Sequence, residues 1–266
     1  MAEPRREDQS EMPFLDHLEE LRWRLIWSGA SLLIAFAVAF TMVSNYDIIG
    51  IIAFPAKDFL HGQKLIYTHP ADPFTILINV SLGLGIVLAS PVIIYQVWSF
   101  LSPALHPHEK RVIVPVLIGA VGLFLIGCTL SVLWVLPITL ELLGSINTAS
   151  LQQFVTATEY FSFAVALTLA FGAVFELPIL ILALTALGLV TPSLLAKYRR
   201  HSFVGMLILS GIITPGDLII STLMLFIPLY GLYELSIVLS WIVFRAKLKK
   251  AKAEAEAERI AAASDR

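Results

Sequence analysis

Phe14-Leu-Asp-His-Leu-Glu-Glu-Leu-Arg-Trp-Arg-Leu25 runs without a break into a long apolar stretch, and that junction decides how the chain is read. At helical spacing Phe14, Leu18, Leu21 and Leu25 fall on one narrow arc, and His17, Glu20 and Arg24 fall together on a neighbouring one. Pro13 suits a first helical turn, and Asp16 puts negative charge near the positive end of the helix dipole. The stretch reads as a short amphipathic helix on a membrane surface, showing carboxylates to water and continuous with a first membrane span. A plainer reading stands beside it: Glu20 only pairs with Arg24 one turn on, worth a few tenths of a kcal/mol.

Composition points the same way. Of 266 residues, 58% are hydrophobic and 14% are charged, with mean hydropathy +0.83. A soluble domain carries about 25% charged residues, so this is an all-α polytopic membrane protein. The net charge of −2 says little; its distribution says more. The single cysteine, Cys128, lies in an apolar run, which excludes an intramolecular disulfide and leaves a small packing residue. No cleavable signal is expected, because Thr41-Met-Val-Ser-Asn45 offers no small-x-small site after the first run. Arg5-Arg6, followed at once by Glu7 and Asp8, reads as part of a solvated N-terminal arm that helps hold this end in the cytosol.

Six spans are expected, at about 25–43, 74–98, 112–136, 161–187, 203–213 and 218–241, the fifth of them short. Pro91 is expected to kink the second. The loop over 44–73 is turn-rich through Pro55, Pro70 and Pro73, and a second outer loop covers 137–159. Thr214-Pro-Gly-Asp217 fits a type II turn, with Asp217 capping the sixth span. The chain divides into a cytosolic amphipathic segment (1–24), a six-span domain (25–244) and a charged tail (245–266) that is either a solvated helix or disordered. Sixteen of the eighteen Lys and Arg fall at the two ends and in the second and fourth loops, so both termini are expected in the cytosol. No internal repeat joins the two halves, which argues against the common secondary-transporter architectures.

Glu176 is the anomaly within the spans. It stands in Ala170-Phe-Gly-Ala-Val-Phe-Glu-Leu-Pro178, where an ionised carboxylate costs roughly 2.5–3.5 kcal/mol on insertion scales. Pro178 removes the donor for the Val174 carbonyl and is expected to bend the helix, while Gly172 and Ala173 are expected to open a shallow crevice. One reading is a packing hydrogen bond to a neighbouring span; the other is a functional polar site. Glu109, beside Lys110 and Arg111, shares a membrane face with Glu19 and Glu20 on this topology. Two such carboxylates can each accept a bidentate pair of hydrogen bonds from a guanidinium, a geometry lysine does not reproduce. His17, His106 and His108 share the face without metal-ligand spacing, and no metal site is expected. HExxH, G-x-S-x-G, P-loop and dinucleotide-binding motifs are all missing, so no catalytic residue, enzyme activity or cofactor is expected.

Four segments, in order, resemble the TatC family, the multispanning core of the twin-arginine protein translocase. They are His17-Leu-Glu-Glu-Leu-Arg-Trp-Arg-Leu25; Ser90-Pro-Val-Ile-Ile-Tyr-Gln-Val-Trp-Ser-Phe-Leu-Ser-Pro-Ala-Leu105 with Glu109-Lys-Arg111; Phe171-Gly-Ala-Val-Phe-Glu-Leu-Pro178; and Thr214-Pro-Gly-Asp217. The resemblance covers about 14–241. It implies a curved, glove-like receptor with short fifth and sixth helices, which docks the twin-arginine signal peptide of an already folded protein. It implies that Glu20 and Glu109 meet the arginine pair, with Phe100 and Leu105 near that site and Arg22 and Arg24 at basic positions of the same segment; Glu19 and His17 are grouped with them. It implies that Glu176 meets a polar group on the single-span partners TatA or TatB. Ser221 stands where relatives often carry Gln, which weakens the expected polar cluster in span six. Pro55 and Asp217 match positions tied to function or assembly, and Pro178 and Pro215 are taken with them as structural. Other implied partners are further TatC copies and the lipid bilayer, not nucleic acid. Transport is implied to run on the proton-motive force across a bacterial cytoplasmic (inner) membrane, with the chain multi-pass. The rival reading is a proton- or ion-coupled small-molecule transporter using Glu176.

Overall fold

The computed structural model describes residues 12–60, 64–101, 110–145, 155–186, 188–213 and 220–264. Its elements are α1 (Met12–Asn45), α2 (Ile48–Ala53), α3 (Ala56–Phe59), α4 (Asp72–Leu101), α5 (Lys110–Leu130), a wide π turn (Ser131–Val135), α6 (Leu136–Ser145), α7 (Ala157–Phe175), α8 (Leu177–Ala186), α9 (Pro192–Lys197), α10 (Arg199–Ile213) and α11 (Ile220–Ser264). No strand occurs among the described residues; Ile66 and Thr156 form an isolated parallel bridge. Among the described residues, five helical stretches are long and apolar enough to cross a bilayer: 18–45, 72–100, 114–141, 157–186 and 225–245. The 15-residue α10 is about 22 Å long, short of the ~30 Å hydrocarbon core, as its sequence foretells.

One boundary differs from the sequence reading. The third span continues past Leu136 to Ser145, so the loop after it begins later. The continuation passes through the π turn just before Pro137. Pro137 has no N–H to donate back to the Leu133 carbonyl, and a widened turn lets the helix carry on across that missing bond. The fourth span is two helices with Glu176 between them, the interruption expected from Pro178. Of the two readings of the tail the helix holds: α11 runs unbroken to Ser264, about 68 Å in all. The Thr214–Asp217 turn, Pro215 included, lies outside the described residues.

The chain forms two compact units, one from 1–122 with 154–169, the other from 123–153 with 170–266. In the first, α1 packs along α4, and Gly85 lets the two backbones approach: a Cβ there would lie 3.0 Å from the Phe36 Cα. Asn79 Nδ2 donates to Ser162 Oγ at 2.8 Å, tying α4 to α7. The loop between the first two spans is sewn down as well. Tyr160 donates its hydroxyl to the Ile52 carbonyl at 2.6 Å, and buried Asp72 accepts the backbone N–H groups of Thr68 (2.7 Å) and His69 (2.9 Å) through Oδ2. In the second unit α11 is the central helix, packed against α8, α9 and α10. Thr185 and Ser240 share a buried hydroxyl hydrogen bond of 2.8 Å, and Phe203 meets Phe226 edge-on at 4.7 Å.

Candidate functional site

In the first unit the family-implied signal site centres on Glu20. α1 is continuous from Met12, so the polar segment and the first span are one rod, and the carboxylate lies about one and a half turns before the apolar run. Glu20 is half-buried, and its Oε1 accepts from Arg24 Nε at 3.0 Å and from Arg24 Nη2. The i,i+4 pair foreseen from spacing is therefore formed. Glu19 and Arg22 are exposed beside it, and Leu18, Leu21, Trp23 and Leu25 leave an uncovered apolar surface on the same helix. His17 lies in α1, with its side chain outside the description. Phe100 is half-buried near the end of α4. Leu105 and Glu109 lie outside the described residues, so their geometry toward Glu20 is not part of this structure. Pro55 sits in the turn joining α2 to α3.

In the second unit the site is the interruption of the fourth span. Glu176 N–H donates to the Ala173 carbonyl at 3.2 Å, a tighter i−3 bond, and the Leu180 N–H returns to the Glu176 carbonyl at 2.9 Å. The break falls where Pro178, itself buried, removes the donor that the Val174 carbonyl would need. Glu176 Oε1 is buried and has no hydrogen-bond partner among the described residues. An acceptor left in that state costs on the order of 1–3 kcal/mol, more if charged. The packing hydrogen bond offered as the plainer reading is not made to any described residue.

Gly172 does not open a crevice. A Cβ on it would lie 2.7 Å from the Phe124 ring and 2.8 Å from Cys128 Sγ, so two side chains of α5 fill the space its missing side chain leaves. Gly127 answers from the other helix, with the Phe171 carbonyl and the Phe175 ring each 2.8 Å from its Cβ position. The glycines close the α5–α7 contact rather than wetting it, and Cys128 is the buried packing residue its sequence position suggests. Ser221 lies in α11 with its side chain outside the description, and Pro215 and Asp217 lie outside it altogether.

Sequence reasoning passed over a second carboxylate in the spans. Glu234, within the apolar stretch of α11, pairs with Arg199 of α10 at 2.8 Å and accepts the Tyr230 hydroxyl at 2.9 Å. The flag that marks Glu176, an acid in a lipid-length apolar run, marks Glu234 equally. Unlike Glu176 it is fully partnered by protein. Among the described residues no group of three or more His, Cys, Asp or Glu is placed to hold a metal ion.

Comparison with known proteins accounts for this arrangement. The family model described as Sec-independent protein translocase protein (TatC) matches residues 16–228. The TatC of Aquifex aeolicus is 37% identical over 91% of this chain and its own full length. The TatC of Escherichia coli K12 is 35% identical over 86% of this chain and 88% of its own, and TatCy of Bacillus subtilis is 32% identical over 92% and 95%. A crystal structure of the twin arginine translocase receptor TatC superposes with a TM-score of 0.75 at 38% identity, covering 85% of this chain and 99% of that one. The chain belongs to the TatC family, and is a multi-pass helical membrane component of the Sec-independent protein translocase.

Proposed function

We propose that this chain receives the twin-arginine signal peptide of folded precursors at its cytosolic face and recruits the single-span partners TatA and TatB for export driven by the proton-motive force. The observation that carries the reading is Glu20 at the water-facing start of a membrane helix, in a chain similar over most of its length to a protein titled twin arginine translocase receptor. Glu20 already accepts two N–H groups from one guanidinium, that of Arg24. An i,i+4 pair on a helix surface is worth only about 0.3–0.5 kcal/mol, so exchanging Arg24 for a signal arginine costs little. Glu109 is the second carboxylate in this proposal, with Glu19, Arg22, Arg24, Phe100, Leu105 and His17 around the pair. Lys and Arg crowding into the ends and two of the loops supports cytosolic termini and a cytoplasmic inner membrane.

Glu176 serves a different role in the same proposal. A buried acceptor at a helix break, with no hydrogen-bond partner among the described residues, suits a polar group brought by another helix inside lipid. Ser221 is assigned to that partner-facing set, and Pro55, Pro178, Pro215 and Asp217 to structural or assembly roles. The test is photo-crosslinking of a signal peptide to Glu20→Ala and Glu109→Ala variants that insert normally into membranes. The reading predicts that both lose the crosslink; full crosslinking in both would refute it.

A further inference from the structure

We infer that the start of the C-terminal extension of α11 carries a face for anionic phospholipid headgroups, built from Trp241, Arg245, Leu248 and Lys249, with Lys252 next at the same spacing. These positions recur at i, i+4, i+7, i+8 and i+11, which puts them on one side of a straight helix. Trp241, Arg245, Leu248 and Lys249 are all exposed, and the Arg245 guanidinium lies over the Trp241 ring, 5.2 Å from its centroid. The helix buries another side: Leu229, Tyr233, Ser236 and Ser240 are covered, and their arc is centred roughly 130° from the Arg245 stripe at about 100° per residue. The stripe is thus turned away from the helices on which α11 packs.

Its height along the membrane normal follows from a hydrogen bond. Thr185, one residue before the end of α8, is level with Ser240, to which it is bonded. Arg245 lies five residues further, about 7.5 Å beyond the level of Thr185, and Lys249 about 6 Å beyond that. That is the depth of a headgroup layer, where an indole and long basic side chains sit together. No acidic residue occurs from Leu235 to Ala253, while Arg245, Lys247, Lys249, Lys250 and Lys252 all fall there. A cluster of four to eight bases next to a span reads as a site for anionic lipid. The matched family segment ends at residue 228, so this face is a feature of the present chain outside that segment.

The inference rests on the proposed cytosolic placement of the tail, but its test does not. The full-length protein in uncharged detergent is titrated with phosphatidylglycerol or phosphatidylcholine, and bound lipid is counted by native mass spectrometry. Two variants of equal charge are compared: Arg245→Gln/Lys249→Gln, and Lys247→Gln/Lys250→Gln, whose positions lie about 140–200° round the helix from Arg245. Each base near an anionic surface is worth roughly fivefold, so the first variant is expected to lose about 25-fold in phosphatidylglycerol affinity and the second less than threefold. A charge-keeping Arg245→Lys/Lys249→Arg variant should bind as the parent does, which controls for folding. Equal losses in the two Gln variants would mean diffuse charge and overturn the face. So would equal binding of the two lipids by the parent, or displacement of phosphatidylglycerol by millimolar inorganic phosphate, which would mark a free-anion site. Protease accessibility of the tail in oriented vesicles reads the topology separately.

Discussion

Two carboxylates, Glu20 in one unit and Glu176 in the other, stand in opposite physical situations. Glu20 sits near water at the polar start of α1, already paired with Arg24. Glu176 sits in a broken apolar helix with a buried oxygen that no described residue satisfies. The first is a cheap, exchangeable contact suited to a ligand that arrives from solution with its own guanidinium groups. The second is a costly, unsatisfied acceptor suited to a partner that arrives through lipid. A receptor that must first read a soluble peptide and then assemble within a membrane needs both kinds of group, and the contrast predicts that their losses have separate phenotypes.

The largest expected effect is on Glu20. Removing it takes away an acceptor of charge-assisted hydrogen bonds, each worth about 1.5–3 kcal/mol, so Glu20→Ala should weaken signal-peptide binding by ten- to a hundredfold or more. Isothermal titration with the purified protein would show it. Glu176→Ala should instead leave signal binding within about twofold of the parent while co-purification of the partner helix falls at least tenfold. Signal binding lost as completely as in Glu20→Ala would erase the distinction between the two sites.

A smaller effect sharpens what surrounds Glu176. Gly172→Ala must push a Cβ into Phe124 and Cys128, and overpacking of that kind costs roughly 1–3 kcal/mol. Thermal unfolding in detergent should fall accordingly and recover in part when Cys128→Ala is added; an unchanged midpoint would mean that the contact is loose after all. The smallest effect belongs to the Glu20–Arg24 pair. Arg24→Gln should change stability by about 0.5 kcal/mol or less and leave signal binding equal or slightly tighter, because a competitor for Glu20 is gone. A large loss of binding would show that Arg24 holds the signal itself.

The sequence made the helical spans legible because their driving term, apolar length, is local. It also made the Glu176 break legible, since Pro178 deletes a specific hydrogen bond whatever packs around it. In two places where the reading failed, the cause lay far away in the chain. Gly172 looked like space because its filling, Phe124 and Cys128, comes from another helix. Glu234 carries the same local mark as Glu176, but its partner Arg199 lies 35 residues earlier on a different helix. Pro137 looked like a helix end, yet a π turn before it lets the helix continue. Asp72, within the stretch expected as the turn-rich loop 44–73, gathers the N–H groups of Thr68 and His69 and fixes that loop. Of the implied signal site, Glu20, Glu19, Arg22, Arg24 and Phe100 are described with side chains, whereas Glu109 and Leu105 fall outside.

The central claim is that a carboxylate at Glu20 reads guanidinium geometry and not merely positive charge. The direct measurement is binding of two synthetic signal peptides, identical except for Arg-Arg or Lys-Lys, to the purified protein in detergent. The account predicts at least tenfold tighter binding of Arg-Arg, and loss of that preference in Glu20→Ala. Equal affinity for the two peptides would contradict it, leaving an acidic surface that attracts any basic segment.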